Sequence, residues 1–293
     1  MQKNSINKYL QLHFIVFIWG FTAVLGKLIP IDAVSLVWFR LLIAVVALYF
    51  IVYFSRIKYR PTGKDYLRFA FGGTIIGLHW LTFFYAIKIS NVSITLAALS
   101  TGAFFASILE PIFFKKKIQL YEIILAGFTV IGIIYIFNVQ IEHSTGIVVA
   151  LISALLSALF SIVNANYIKK YEAKILTFYE LLFAFLLLSI FMFTNGEFNN
   201  SLFQLSLTDY IYLLVLGTVC TAFALTYSNK LLRQVTPFTM MLTVNLEPVY
   251  GIILAILIFK ESEYMNPHFY YGAILILATV ILNGIIKTLK KRD

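Results

Sequence analysis

Charge is scarce in this chain. Only 12% of its 293 residues are Asp, Glu, Lys or Arg, about half the share of a soluble domain. Cysteine is scarcer, since Cys220 is the single one. A disulfide framework and a CxxC metal site are therefore excluded, and Cys220 within its apolar run reads as a small buried residue. Long polar segments are missing too: the longest loop, Gly196 to Asp209, has 14 residues. That leaves no room for a soluble catalytic domain. Neither an HExxH helix nor a GxSxG turn occurs, and no aspartate cluster could hold magnesium and a diphosphate. No catalytic residue, metal site or cofactor is expected.

What fills the chain instead is apolar: 61% of residues are hydrophobic. Ten stretches are each about long enough to cross roughly 30 Å of hydrocarbon, which takes about 20 helical residues. They run Leu10 to Ile29, Val34 to Tyr53, Leu67 to Lys88, Val92 to Phe114 and Tyr121 to Asn138. The second set runs Gly146 to Tyr167, Ile175 to Asn195, Tyr210 to Leu232, Phe238 to Phe259 and Phe269 to Ile286. Backbone polar groups must be satisfied in lipid, so spans are helices or closed barrels, and continuous apolar runs select helices. The expected fold is an all-α integral membrane protein with ten transmembrane helices. Most of the 28 phenylalanines are read as lipid contacts.

The net charge of +10 is placed for a membrane, not for nucleic acid. Bases collect in alternate loops: Lys3 and Lys8; Arg56, Lys58, Arg60, Lys64 and Arg68; Lys115, Lys116 and Lys117; Lys169, Lys170 and Lys174; Arg233; Lys287, Lys290, Lys291 and Arg292. The intervening loops carry Asp32, Glu142, Glu197, Asp209, Glu261 and Glu263. The positive-inside rule then puts both termini in the cytoplasm of a multi-pass cell-membrane protein. The first stretch has no small-residue cleavage site and is expected to be retained as a helix.

Five spans is an odd number, so a second copy of a five-helix unit starts on the opposite face. Two inverted repeats follow, 1–140 and 141–293. Pairing Leu109-Glu110-Pro111 with Leu246-Glu247-Pro248 would lay the Lys115 to Lys117 loop on mid-span Ile252 to Leu254. A shift of 145 avoids this and matches Lys88 with Arg233, Phe114-Lys115 with Phe259-Lys260, Gly127 with Gly272 and Asn138 with Asn283. In that register Glu247-Pro248 faces Gly102-Ala103, and the two Glu-Pro pairs are not equivalent. Inverted repeats are the plan of secondary transporters, which bind near the midplane between repeats.

Depth ranks the candidate binding residues, because a mid-membrane charge costs about 2.5 to 3.5 kcal/mol on insertion scales and needs a partner, water or a proton. Glu247 lies near the centre of the ninth span; Pro248 after it breaks the helix and frees carbonyls near Val244, beside Asn245. Its carboxyl either faces a cavity or makes a helix–helix hydrogen bond. His79 is near mid-span and shares a face with Phe83; it is a packing residue or, with Glu247, a pair that titrates near neutral pH. Arg40 either snorkels or binds a substrate carboxylate. Trp19 and Trp80 are too deep for an interfacial belt and either line the cavity or pack. Lys27 is expected to anchor at the surface, and Glu110 and Glu180 to form surface pairs near Lys115 and Lys174. Stripes of small residues mark helix 4 (Ser93, Ala97, Ser100, Ser107, Pro111), helix 6 (Ala150, Ser153, Ser157, Ser161, Asn164) and helix 9 (Thr236, Thr243, Glu247, Gly251), facing helices or water.

Trp19-Gly20 followed by Lys27, Arg40, Ala97-Ala98, Gly127 with Gly132, Leu246-Glu247-Pro248, Glu261 and Gly272 stand in an order that resembles the EamA-like branch of the drug/metabolite transporter superfamily. The resemblance spans nearly the whole chain. Two positions depart from it: Lys116 stands where an acidic residue is common after helix 4, and Ser157-Ala158 where a Trp-Ala pair is common. It implies transport of small metabolites, often export of amino acids or related compounds, through a central cavity. The expected activity is secondary transport by alternating access, driven by proton exchange or by the solute gradient. The expected partners are a small-molecule substrate and the bilayer, with the chain a monomer or homodimer. A membrane receptor or scaffold subunit, or an intramembrane enzyme, are the alternatives.

Overall fold

The computed structural model describes residues 2–115 and 120–289. Lys116, Lys117, Lys290, Lys291, Arg292 and Asp293 lie outside the described residues, as do the side chains of Lys3, Lys8, Glu261, Asn283 and Lys287. Among the described residues there are thirteen α-helices and no strand. They are α1 (Gln2–Leu28), α2 (Ala33–Phe54), α3 (Gly63–Ile89), α4 (Val92–Leu99), α5 (Gly102–Phe114), α6 (Leu120–Val139), α7 (Ser144–Tyr167), α8 (Ala173–Thr194), α9 (Leu207–Gly217), α10 (Ala224–Leu231), α11 (Pro237–Val244), α12 (Glu247–Phe259) and α13 (Pro267–Leu289). Eight helical stretches among the described residues are long and apolar enough to cross a membrane, and α6 holds a shorter apolar segment, Gly127–Ile136. Large apolar side chains such as Phe54, Leu67, Phe193 and Leu257 point outward, as they must where the solvent is hydrocarbon.

The few acidic residues of the loops are spent on helix starts. Asp32 accepts from the backbone N–H groups of Val34 and Ser35 to cap α2. Thr62 with Asp65 and Ser206 with Asp209 form capping boxes at α3 and α9. Each satisfies amide donors that a helix start leaves orphaned. Asp65 also gathers Lys170, Tyr171 and Tyr59, which ties the loop before α3 to the loop after α7. Hydrogen bonds to Asp65 and Tyr171 raise the Lys170 ammonium above its ordinary range.

The expected fourth and ninth spans are each broken in two, and at matching places. Asn91 caps α4 and Thr236 caps α11, 145 positions apart. The first segments end at Leu99 and Val244, and the second begin at Gly102 and Glu247. At both breaks the ladder tightens to an i−3 bond, Thr101 N–H to Ala98 O and Leu246 N–H to Thr243 O. The second segments end on Lys115 and Lys260, both with positive φ, at 54° and 49°. The causes differ. Pro248 has no N–H to continue the ladder, whereas in the first half Ser100 and Thr101 hydroxyls bond back to Ala97 and Ala98 carbonyls and compete with it.

Helix α3 packs on α7 and α8, α2 on α8 and α9, α1 on α10 and α12, and α7 on α4 and α5. Helices α6 and α13 pair with each other. At their crossing a Cβ on Gly132 would lie 3.2 Å from Gly272 O, and one on Gly272 would lie 3.1 Å from Gly132 O. A Cβ at either glycine would also come within 2.7 Å of an isoleucine side chain, Ile276 or Ile136, so glycine suits the close approach, and Thr129 with Thr279 hydrogen-bond across it at 2.9 Å. Gly127, the position matched with Gly272 in the repeat register, stands in open space.

Candidate functional site

A cavity of about 80 Å³ opens between the helices, lined by Trp19, Arg40, His79 and Trp80 from the first half and by Ser161, Asn229 and Glu247 from the second, among others. Five of the six expected binding residues thus meet in one place. The sixth, Asn245, sits buried in the helix break, does not line this cavity, and has no partner for its amide nitrogen.

Arg40 shapes the site. It does not snorkel: it is 1% exposed, with its guanidinium carbon 3.9 Å from the centre of the Trp80 ring and 5.5 Å from that of Phe84. Stacking on aromatic faces compensates part of the lost hydration. Its Nε donates to Thr221 Oγ1 at 2.6 Å. Thr221 belongs to a π-helical turn, Thr218–Phe223, between α9 and α10, and its hydroxyl donates in turn to Leu216 O at 2.6 Å. The same turn offers Cys220 O to Trp19 Nε1 at 3.2 Å. A π turn widens the helix and re-aims its polar groups, which is why such turns recur at functional sites. After these bonds Arg40 Nη1 is left without a partner, fully buried.

Glu247 begins α12 immediately after the break, 6% exposed. It and Arg40 lie within electrostatic reach of each other but form no direct ion pair among the described residues. His79 is held by α7: its Nδ1 lies 3.0 Å from Ser153 O and 2.8 Å from Ser153 Oγ, whose hydroxyl donates to His79 O. A carbonyl partner requires Nδ1–H, so a neutral His79 carries its bare nitrogen at Nε2.

Beside the cavity lies a polar cluster that the sequence did not single out. Glu180 is fully buried and accepts from Asn164 Nδ2 at 3.1 Å. The same amide donates to Asn229 Oδ1 at 3.1 Å, and Asn229 Nδ2 donates to Thr177 Oγ1 at 3.0 Å. Glu180 Oε1 has no partner and packs on Gly72. The expected surface pair with Lys174 does not form, since Lys174 donates to Ser55 Oγ at 2.7 Å. Two groups expected near the surface also reach buried partners. Lys27 is partly exposed, and its Nζ pairs with the buried carboxylate of Glu263 at 2.7 Å and lies over Phe259. Glu110 is buried as well and accepts from Phe238 N–H at 3.2 Å.

The stripes of small residues divide. Ser157 and Ser161 of α7 line the cavity. The helix 4 stripe does not, and Gly251 packs against Gly20 O. Among the described residues no group of three or more His, Cys, Asp or Glu could hold a metal ion.

Comparisons with known proteins agree with this architecture. One solved structure, described only as a crystal structure of a protein, superposes with a TM-score of 0.69 at 11% identity, covering 96% of this chain and 98% of that one. Such a likeness is one of fold. No curated protein matches the chain. The sequence profile of the EamA-like transporter family matches residues 8–138 and again 144–285. With both halves matched, the chain belongs to the EamA-like transporter family.

Proposed function

We propose that this protein exports a small organic metabolite bearing amino and carboxylate groups, an amino acid or related compound, across the cell membrane by alternating access. Family membership supports membrane transport of small compounds. One observation carries the finer reading: the cavity presents a buried guanidinium with an unused N–H and, from the other half, the Glu247 carboxylate. A zwitterion would place its carboxylate on Arg40 Nη1, which otherwise has no partner, and its ammonium on the Glu247 carboxylate.

The matched caps, breaks and positive-φ ends at a spacing of 145 support ten helices arranged as two inverted repeats. The helix neighbours support it as well: α3 on α7 mirrors α10 on α1, and α5 on α7 mirrors α12 on α1. The bases at alternate loops favour cytoplasmic termini.

At about 80 Å³ the cavity is far below the roughly 300–1,000 Å³ of ligand pockets, so solute entry needs an opening. Two contacts between the halves are suited to gate it. Glu263 accepts from Val92 N–H at 3.0 Å, Ser93 N–H at 2.8 Å and Lys27. Glu110 accepts from Phe238 N–H, and Phe238 lies 145 positions after Ser93. Each half-helix thus starts on a carboxylate from the other half, one latch at each membrane face, and rocking releases them in turn. Glu247 and His79 are the titratable groups that would couple the cycle to protons.

A thermal-shift panel of amino acids, their decarboxylated amines and their deaminated acids tests the reading. Zwitterions should raise Tm where the matched amines and acids do not. Equal shifts from amines alone would contradict the two-charge site.

A further inference from the structure

We infer that a second site, separate from the central cavity, holds the headgroup of an anionic phospholipid. At one end of the bundle a pocket of about 430 Å³ opens between α2, α8 and α10, lined by Lys174, Lys230, Arg233 and Glu172 together with Phe223 and Tyr227. Three cations face one carboxylate there. None of the cations forms an ion pair within 4 Å among the described residues. Lys174 donates to the Ser55 hydroxyl, Lys230 lies 5.7 Å from the Tyr227 ring centre, and Arg233 spends Nε and Nη2 on the carbonyls of Ile168 and Tyr171, leaving Nη1 uncommitted.

The position of the pocket selects the occupant. Lys174 and Lys230 stand at the ends of spans Ala173–Thr194 and Leu207–Leu231. From there an exposed apolar surface runs into the membrane zone, with Val46 and Phe50 on α2 and Val215, Val219 and Phe223 on the facing helix. A phosphate on the cations with an acyl chain on that surface matches both parts at once. Basic pockets between transmembrane helices that bind anionic headgroups have this construction. Soluble phosphate would use the cations and leave the apolar surface idle.

The site touches the central cavity through one turn. Phe223 lines the pocket and closes the π turn whose Thr221 holds Arg40. Lipid occupancy therefore braces the turn that aims the guanidinium.

The test needs no transported solute. Purified full-length protein in detergent is titrated with phosphatidylglycerol, with phosphatidylcholine of the same chains, and with inorganic phosphate, reading lipid adducts by native mass spectrometry together with Tm. Phosphatidylglycerol should form a retained adduct and raise Tm, with neither of the others doing so. Lys174→Gln with Lys230→Gln should weaken that adduct by about 30-fold, from about 1 kcal/mol per basic residue near an anionic surface. Lys169→Gln, outside the pocket, should leave it unchanged. If the double variant does not fold, the exposed Lys230→Gln alone should weaken the adduct several-fold. Equal retention of both lipids, an adduct indifferent to the lysines, or a lysine-dependent Tm rise with inorganic phosphate alone would each overturn the proposal.

Discussion

Arg40 Nε and Thr221 Oγ1 lie 2.6 Å apart, and this bond joins the middle of α2 to the π turn of the opposite half. It fixes the guanidinium against Trp80 and leaves Nη1 directed to a partner that the protein itself does not supply. Arg40→Lys keeps the charge but loses the planar fork and the stacking. Solute affinity, read as a thermal-shift titration, should fall by about 10- to 100-fold, the equivalent of one charge-assisted hydrogen bond of about 1.5–3 kcal/mol. Arg40→Met removes a buried charge and should keep a Tm close to wild type while losing the shift. A Met variant that still responds would place binding elsewhere.

The two latches predict opposite shifts. Glu263→Gln weakens a carboxylate bound to two N–H groups and Lys27, and Glu110→Gln weakens the contact at Phe238. In a Cys220→Ala background with single cysteines near Lys27 or near Phe238, the first variant should increase labelling at the Lys27 end and the second at the Phe238 end. Parallel changes at both ends would indicate loosening of the whole bundle.

Topology is checked with reporters. Fusions after Asp293 and in the Lys115 and Lys169 loops should report the cytoplasm, and one at Glu142 the outside. Finding the Lys115 and Lys169 loops on opposite faces would remove the inverted repeat.

Glu180 has no cation partner among the described residues and one unpaired oxygen. A buried carboxylate without a counter-charge is costly, so an uncharged amide of the same shape fits the position. Glu180→Gln keeps the Asn164 contact and should leave Tm equal or higher. Glu180→Ala removes the partner of the Asn164 amide and leaves a cavity beside Gly72, and should cost about 2–5 kcal/mol. A Gln variant as unstable as Ala would show that a charge is required there.

Composition and charge placement made the membrane, the helical class and the 145-residue spacing legible. The break in the ninth span was legible through Pro248. Its counterpart was not, because Ser100 and Thr101 in an apolar run look like close-packing residues, and only their bonds to Ala97 and Ala98 show competition with the helix ladder. Depth along a span singles out Glu247 and His79 as candidates and leaves Arg40, near the outer end of its span, between snorkelling and binding, because depth says nothing of the face a residue occupies. Glu180 lies near a helix end and turns inward onto Gly72. Glu110 and Lys27 reach partners that spacing does not reveal, Phe238 N–H and Glu263, each more than a hundred positions away. Thr221 matters only because of a π turn that no spacing announces.

The most direct measurement is counterflow in reconstituted vesicles with the amino acid that gives the largest thermal shift, comparing wild type with Glu247→Gln. The account predicts that the variant folds with an unchanged Tm, slows flux by about tenfold or more, the equivalent of losing about 1.4 kcal/mol or more, and loses any dependence of flux on an imposed pH gradient. Wild-type flux in the Gln variant would contradict a site built on Arg40 and Glu247.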